Sequence, residues 1–226
     1  MQTSRIKICC ISSIEEAKLA IKHGASALGL VSAMPSGPGP ISEELIAEIV
    51  PHVPPGIDTF LLTSKQDAES IIAQQRKTKV NTLQLVDAIS IGVYKQLRKE
   101  LPRIKLVQVI HVVGEESVHE AVSVVPFVDK ILLDSGNPKL AVKELGGTGR
   151  KHDWNLSKKI VEAVNVPVFL AGGLNPENVC EAIEFVQPYG VDICSGVRMN
   201  GRLDEQKLKK FFEAIKVHGR NGHRRR

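Results

Sequence analysis

Short apolar, β-branched runs of about five residues recur along this chain, and each is followed by a longer stretch whose apolar positions return every three to four residues. The strand-like runs fall at residues 5–11, 27–31, 58–62, 82–86, 105–110, 129–133, 167–170 and 190–194. Helical periodicity follows over 14–23, 42–50, 65–76, 88–100, 115–124, 155–164, 175–186 and 204–217, with Gly- or Pro-bearing turns between units. Eight strand–helix units, their strands starting about 22 to 38 residues apart, fit right-handed crossovers in a parallel sheet. Eight is also the number that closes such a sheet into a barrel. The predicted fold is α/β, a single (β/α)8 TIM barrel over residues 1–217, with residues 218–226 a basic tail expected to be disordered.

A doubly wound sheet is the competing architecture. It usually carries a Gly-rich fingerprint after its first strand, whereas the first turn here reads Cys10-Ile11-Ser12-Ser13. Gly146-Gly147-Thr148-Gly149 lacks the Gly-Lys-Ser/Thr ending of a phosphate-binding P-loop and does not directly follow a strand. Two long connections break the rhythm, at 32–42 and 135–155, and both leave the C-terminal ends of strands, where barrels build their active sites.

Hydrophobic residues make up 42% and charged residues 24% of the 226, so the chain can bury a full core without disulfides or metal. The net charge of +5 is concentrated at one end: the last ten residues hold four arginines and no acid. With aromatics at 4% and no basic stripe elsewhere, a nucleic-acid partner is not expected. No apolar stretch approaches the ~18 residues of a membrane span, and no apolar signal region precedes the first strand. Four scattered cysteines, without a CxxC pair, argue against a disulfide framework or zinc; the expected setting is a reducing cytoplasm.

Candidate chemistry gathers at strand ends. In Ile6-Lys7-Ile8-Cys9-Cys10-Ile11, alternation sends Lys7 and Cys9 into the barrel, with Cys9 nearer the mouth, and makes Cys10 an outward packing residue. A thiol near an ammonium has its thiolate favoured. Asp134 ends the otherwise apolar run Ile131-Leu132-Leu133, a place where a carboxylate is expensive unless it meets solvent, a partner or a substrate. Cys9 and Asp134, on strands one and six, suit a general base and a general acid on opposite sides of a ligand. Gly172-Gly173 after strand seven and Ser195-Gly196 after strand eight offer close-approach amides of the kind that hold phosphate. Asn175-Pro176 reads as the cap and first residue of the following helix.

Lys7-Ile8-Cys9, Leu132-Leu133-Asp134, Gly146-Gly147-Thr148-Gly149, Asp153-Trp154, Leu170 through Val179 and Val191 through Val197, in that order, resemble the phosphoribosylanthranilate isomerase family. The resemblance implies an isomerase of tryptophan biosynthesis that performs an Amadori rearrangement of a phosphorylated sugar amine, without metal or cofactor. It implies Cys9 as general base and Asp134 as general acid, with Lys7, Gly147, Gly149, Gly172, Gly173, Ser195 and Gly196 binding the phosphorylated substrate. Some positions depart from the family. Cys10 stands where Gly is usual, Leu83-Gln84-Leu85-Val86-Asp87 lacks the His of Val-Gln-Leu-His-Gly, and Arg198 replaces a Glu. The 32–42 connection lacks the Arg that meets the anthranilate carboxylate, so Arg198 is expected to substitute for it, with Arg150 and Lys151 as other candidates. Two alternatives stay open: isomerisation of a different phosphorylated sugar, and a non-catalytic barrel that binds a phosphorylated metabolite. Oligomeric state is not legible.

Overall fold

The computed structural model describes residues 5–222 except 138–139, 141–142, 144, 146–148 and 150; of 218–222 only the backbone is described. Eight parallel strands close into one barrel in sequence order, β1 (Arg5–Ile8), β2 (Ala27–Val31), β3 (Asp58–Thr63), β4 (Thr82–Leu85), β5 (Lys105–His111), β6 (Lys130–Asp134), β7 (Val168–Leu170) and β8 (Gly190–Ile193), with β8 pairing back onto β1. The helices are α1 (Ile14–His23), α2 (Glu43–Ile49), α3 (Ala68–Thr78), α4 (Ile91–Glu100), α5 (Glu116–Val124), α6 (Trp154–Ala163), α7 (Val179–Val186) and α8 (Glu205–Gly222). The predicted barrel is the observed one. No helix among the described residues is long and apolar enough to cross a membrane.

Side-chain alternation sorts the strands into two cores. Ile6, Ile8, Leu28, Leu30, Leu61, Leu83, Leu85, Leu106, Ile110, Ile131, Leu133, Leu170, Val191 and Ile193 point outward and pack beneath the helices. Inside, Cys9, Ala27, Val31, Phe60, Leu62, Val107, Val109, Leu132 and Phe169 fill the barrel, so it is a packed core rather than a pore. Buried polar side chains inside include Lys7, Gln84, Asp134 and Asp192.

Element boundaries differ from the expected ones where local chemistry outweighs periodicity. α3 starts at Ala68 because the Asp67 side chain accepts from the Ser70 amide and caps it. α7 begins at Val179 rather than 175: Asn175 Oδ1 accepts from the amides of Glu177 and Asn178, making a side-chain turn ahead of the helix. α8 continues to Gly222, beyond the expected end at 217, since an isolated Gly weakens a helix without ending it. The rest of the expected tail, 223–226, lies outside the described residues. α1 is closed at both ends: Ser13 Oγ accepts from Glu16 N, Glu16 Oε2 accepts from Ser12 N, and Gly24 (φ 113°) terminates it.

Candidate active site

Lys7 and Asp192 are register partners on the neighbouring strands β1 and β8, both pointing inward. They therefore meet: Lys7 Nζ donates to Asp192 Oδ2 at 2.8 Å, with the lysine 0% and the aspartate 7% exposed. Lys7 Nζ also lies 5.3 Å from the centre of the Phe60 ring. Burial works to lower the lysine, but the attraction of Asp192, with a further contribution from Cys9, outweighs it and holds Lys7 above its ordinary range. Burial pushes Asp192 upward against the pull of Lys7. The pair lies beneath Cys9, and Gly29 on β2 makes the room. A Cβ at Gly29 would stand 2.8 Å from Cys9 Sγ and 2.9 Å from Lys7 Nζ. The Cys9 thiol is held below its usual value, first by a hydrogen bond from the Cys10 thiol and then by the Lys7 ammonium, against burial and Asp192.

Cys10 is not an outward packing residue. β1 ends at Ile8, and Cys10 adopts φ 63°, which ends the alternation and turns its side chain into the mouth. There its Sγ lies 2.7 Å from Cys194 Sγ at the end of β8. Arg198 is likewise not where the missing loop arginine would act. Its guanidinium, 8% exposed, pairs with Glu16, 12% exposed, at 3.0 Å and donates to the carbonyls of Cys9, Cys10 and Gly201. It braces the turn after β1, its donors taken up by the half-buried Glu16 carboxylate and three backbone carbonyls.

Asp134 ends β6 level with His111 on β5, and its Oδ1 accepts from the Ser135 amide at 2.8 Å. On the same side three glycine-bearing turns converge. Gly172 (φ 83°) and Gly173 (φ 62°) occupy the left-handed region that glycine enters without a Cβ penalty, and Asn178 Nδ2 ties down the Gly173 carbonyl at 2.9 Å. A Cβ on Gly149 would lie 3.7 Å from Ser195 Oγ. Gly196 serves packing: a Cβ there would strike the Leu174 carbonyl at 2.3 Å, so its absence lets the β7 and β8 turns touch. His152 packs against Gly172 and Ser135, places Nε2 2.6 Å from Ser157 Oγ and leaves its buried Nδ1 without a partner. Burial lowers its imidazole, partly offset by Asp134.

These turns surround an open pocket at the C-terminal mouth. Of the predicted site residues, Cys9, Asp134, Gly149, Gly172, Gly173 and Ser195 line it. Lys7, Gly196 and Arg198 are not among the residues that line it: Lys7 pairs with Asp192, Gly196 packs on Leu174 and Arg198 pairs with Glu16; Gly147 and Arg150 fall outside the described residues. Lys151 is exposed, with Nζ 5.0 Å from the Trp154 ring centre. The long β2–α2 connection closes the near side through Met34, Ser36, Gly37 and Pro38. Ser36 Oγ donates to the Lys143 carbonyl, and Lys143 Nζ pairs with Asp87, latching the β6–α6 loop over the mouth. Among the described residues no Lys or Arg lines the cavity, and no group of three or more His, Cys, Asp or Glu side chains is placed to hold a metal ion.

A family profile described as N-(5′-phosphoribosyl)anthranilate (PRA) isomerase matches residues 6–214. The chain belongs to the PRA isomerase family. It is 41% identical over 214 residues to N-(5′-phosphoribosyl)anthranilate isomerase 2 of Methanosarcina mazei, covering 94% of each chain. The phosphoribosylanthranilate isomerase of Thermotoga maritima superposes with a TM-score of 0.79 at 31% identity, covering 95% of this chain and 99% of that one. A phosphoribosylanthranilate isomerase solved with reduced 1-(o-carboxyphenylamino)-1-deoxyribulose 5-phosphate superposes at 0.76 with 29% identity and the same coverage.

Within this family the departures take on physical meaning. The usual Gly after the first-strand Cys suits a backbone at positive φ, which Cys10 tolerates at a cost of roughly 1–2 kcal/mol. Where the fourth-strand His is replaced by Val86, the Val86 carbonyl instead receives the His111 ring of the neighbouring strand at 2.9 Å. Sequence reasoning missed four contributors: Gly29, Gln84 (buried, lining the cavity, Oε1 unpartnered), Asp192 and Cys194. Asp192 carried a signal, since it is the polar residue on the inward face of an otherwise apolar strand; Gln84 shares its face with Thr82 and stood out less.

Proposed function

We propose that this chain isomerises N-(5′-phosphoribosyl)anthranilate to 1-(o-carboxyphenylamino)-1-deoxyribulose 5-phosphate, with Asp134 as general acid and Cys9 as general base. The observation that carries the reading is the presence of Cys9 and Asp134 on one cavity whose rim holds Gly172, Gly173 and Ser195. The phosphate occupies the glycine turns, where backbone amides are approached with no Cβ in the way. Asp134 in its protonated form gives its proton to the ribose ring oxygen, and the ring opens as the aryl nitrogen forms a Schiff base with C1. The Cys9 thiolate removes the proton on C2, leaving an enolamine that tautomerises to the ketone. Lys7 and the Cys10 thiol keep Cys9 in the basic form that this step needs. Walls of Val31, Leu62, Leu132 and Leu145 accept the aromatic ring and exclude water.

Freshly generated phosphoribosylanthranilate is fluorescent, and its turnover is followed by the loss of that signal. The wild type is expected to turn it over, with Cys9→Ala and Asp134→Asn each reduced by about 10²–10⁴-fold, the usual contribution of a positioned acid or base. Full activity in either variant, with the protein folded, would remove that residue from its role. A second reading keeps the chemistry and changes the substrate to a phosphorylated sugar amine without the anthranilate carboxylate. It is favoured by one observation, that no cation among the described residues lines the cavity. Comparing kcat/KM for the anthranilate and anilide substrates separates the two: a preference for the carboxylate-free amine supports the second.

A further inference from the structure

Three of the four cysteines converge on the mouth, and the reaction uses one of them. Cys10 Sγ and Cys194 Sγ lie 2.7 Å apart, and both residues line the cavity. Their backbones are independently fixed. Cys10 is held in its left-handed conformation by Arg198 on the carbonyls of Cys9 and Cys10, and Gly39 leaves room for its side chain, since an added Cβ there would stand 2.7 Å from the Cys10 Cβ. Cys194 directly follows β8 and leads into the Ser195–Gly196 turn packed on Leu174. The fourth cysteine, Cys180, turns its sulfur onto the Ala214 carbonyl of α8.

We propose that Cys10 and Cys194 are a thiol modification site, a redox pair that a small-molecule disulfide oxidises to an intramolecular bond across the mouth of the barrel. A disulfide needs its sulfurs about 2.05 Å apart, and these approach that separation with both chain segments already in place. Cys194, the more exposed of the two, is the point of entry. Its sulfur, deprotonated, attacks the reagent RSSR and releases one RSH after proton uptake, leaving Cys194–S–SR. The Cys10 sulfur, giving up its proton, then displaces the second RSH and forms the Cys10–Cys194 bond. Two protein thiols are oxidised, one reagent disulfide is reduced to two thiols, and nothing remains attached. Cys9 lines the same cavity as Cys10 and Cys194, so the bond forms beside the proposed base and fixes the wall that faces it.

The test is incubation of the full-length reduced protein with oxidised glutathione, followed by thiol titration in denaturant and peptide mapping. The expected result is a fall from four titratable thiols to two and a Cys10–Cys194 cross-linked peptide without a retained glutathione. Isomerase activity falls as the bond forms across the mouth, and dithiothreitol restores it. Cys9→Ala, which lacks the proposed base, still forms the bond, so the cross-link stands or falls separately from the catalytic reading. Retention of all four thiols, a stable glutathione adduct, or a Cys9–Cys10 bridge as the product would each overturn the proposal.

Discussion

Replacing Lys7 by methionine takes the ammonium from beneath Cys9 while keeping most of the side-chain volume. Lys7 is fully buried, and its Nζ meets Asp192 Oδ2 at 2.8 Å. Asp192 Oδ1 already lacks a partner, so the substitution strands a buried carboxylate whose ammonium partner is gone. Breaking a buried pair from one side costs about 3–5 kcal/mol, much of it the unpaired charge. Burial already raises Asp192, and loss of Lys7 raises it further, so the penalty is largest where the carboxylate is ionised and shrinks as acidification protonates it. In the wild type Lys7 is raised in the folded state, so its contribution is complete below about pH 10 and is lost only as pH climbs through the folded value. Urea unfolding of Lys7→Met should therefore show a loss of about 3–5 kcal/mol at pH 8 and a smaller one at pH 5. Adding Asp192→Leu should recover stability, because an apolar pair of similar volume replaces the ionic one. The Cys9 thiol should nonetheless titrate higher in both variants, read as an upward shift in the pH profile of its alkylation. A destabilisation below about 1 kcal/mol at pH 8, or an unmoved alkylation profile, would refute the electrostatic account.

Gly29→Ala should lower kcat at least tenfold with a smaller effect on KM, since the new Cβ displaces Cys9 Sγ and Lys7 Nζ and meets the Cys9 backbone at 3.1 Å; the overpacking should cost about 1–3 kcal/mol in urea unfolding, and an unchanged kcat would contradict it. Arg198→Ala should destabilise the protein by about 3 kcal/mol by stranding Glu16, while changing kcat/KM equally for substrates with and without the anthranilate carboxylate. A selective loss for the carboxylate-bearing substrate would return Arg198 to the clamp role that the sequence suggested.

Much of this protein is legible in its sequence because the deciding interactions are short in range. Eight repeats of a β-branched run and an amphipathic stretch specify eight strands and eight helices, and period-two alternation alone places Ile6 and Ile8 outside and Lys7 and Cys9 inside. Asp134 stands out because a carboxylate closing an apolar strand has few structural excuses. Other features belong only to the closed barrel. Lys7 and Asp192 are 185 positions apart, and nothing local says that they pair until β8 returns to β1. Arg198 reads as a free cation near the mouth, yet Glu16, 182 positions away, takes its guanidinium because burial makes that pairing worth more than solvent. Gly29 looks like any small strand residue until Lys7 of β1 and Cys9 just beyond it fill the space where its Cβ would be. Cys10 follows the alternation on paper and leaves it in three dimensions, since the strand stops at Ile8 and the turn requires a positive φ. Periodicity reports which face a side chain takes; the partner it meets there is decided by closure of the sheet.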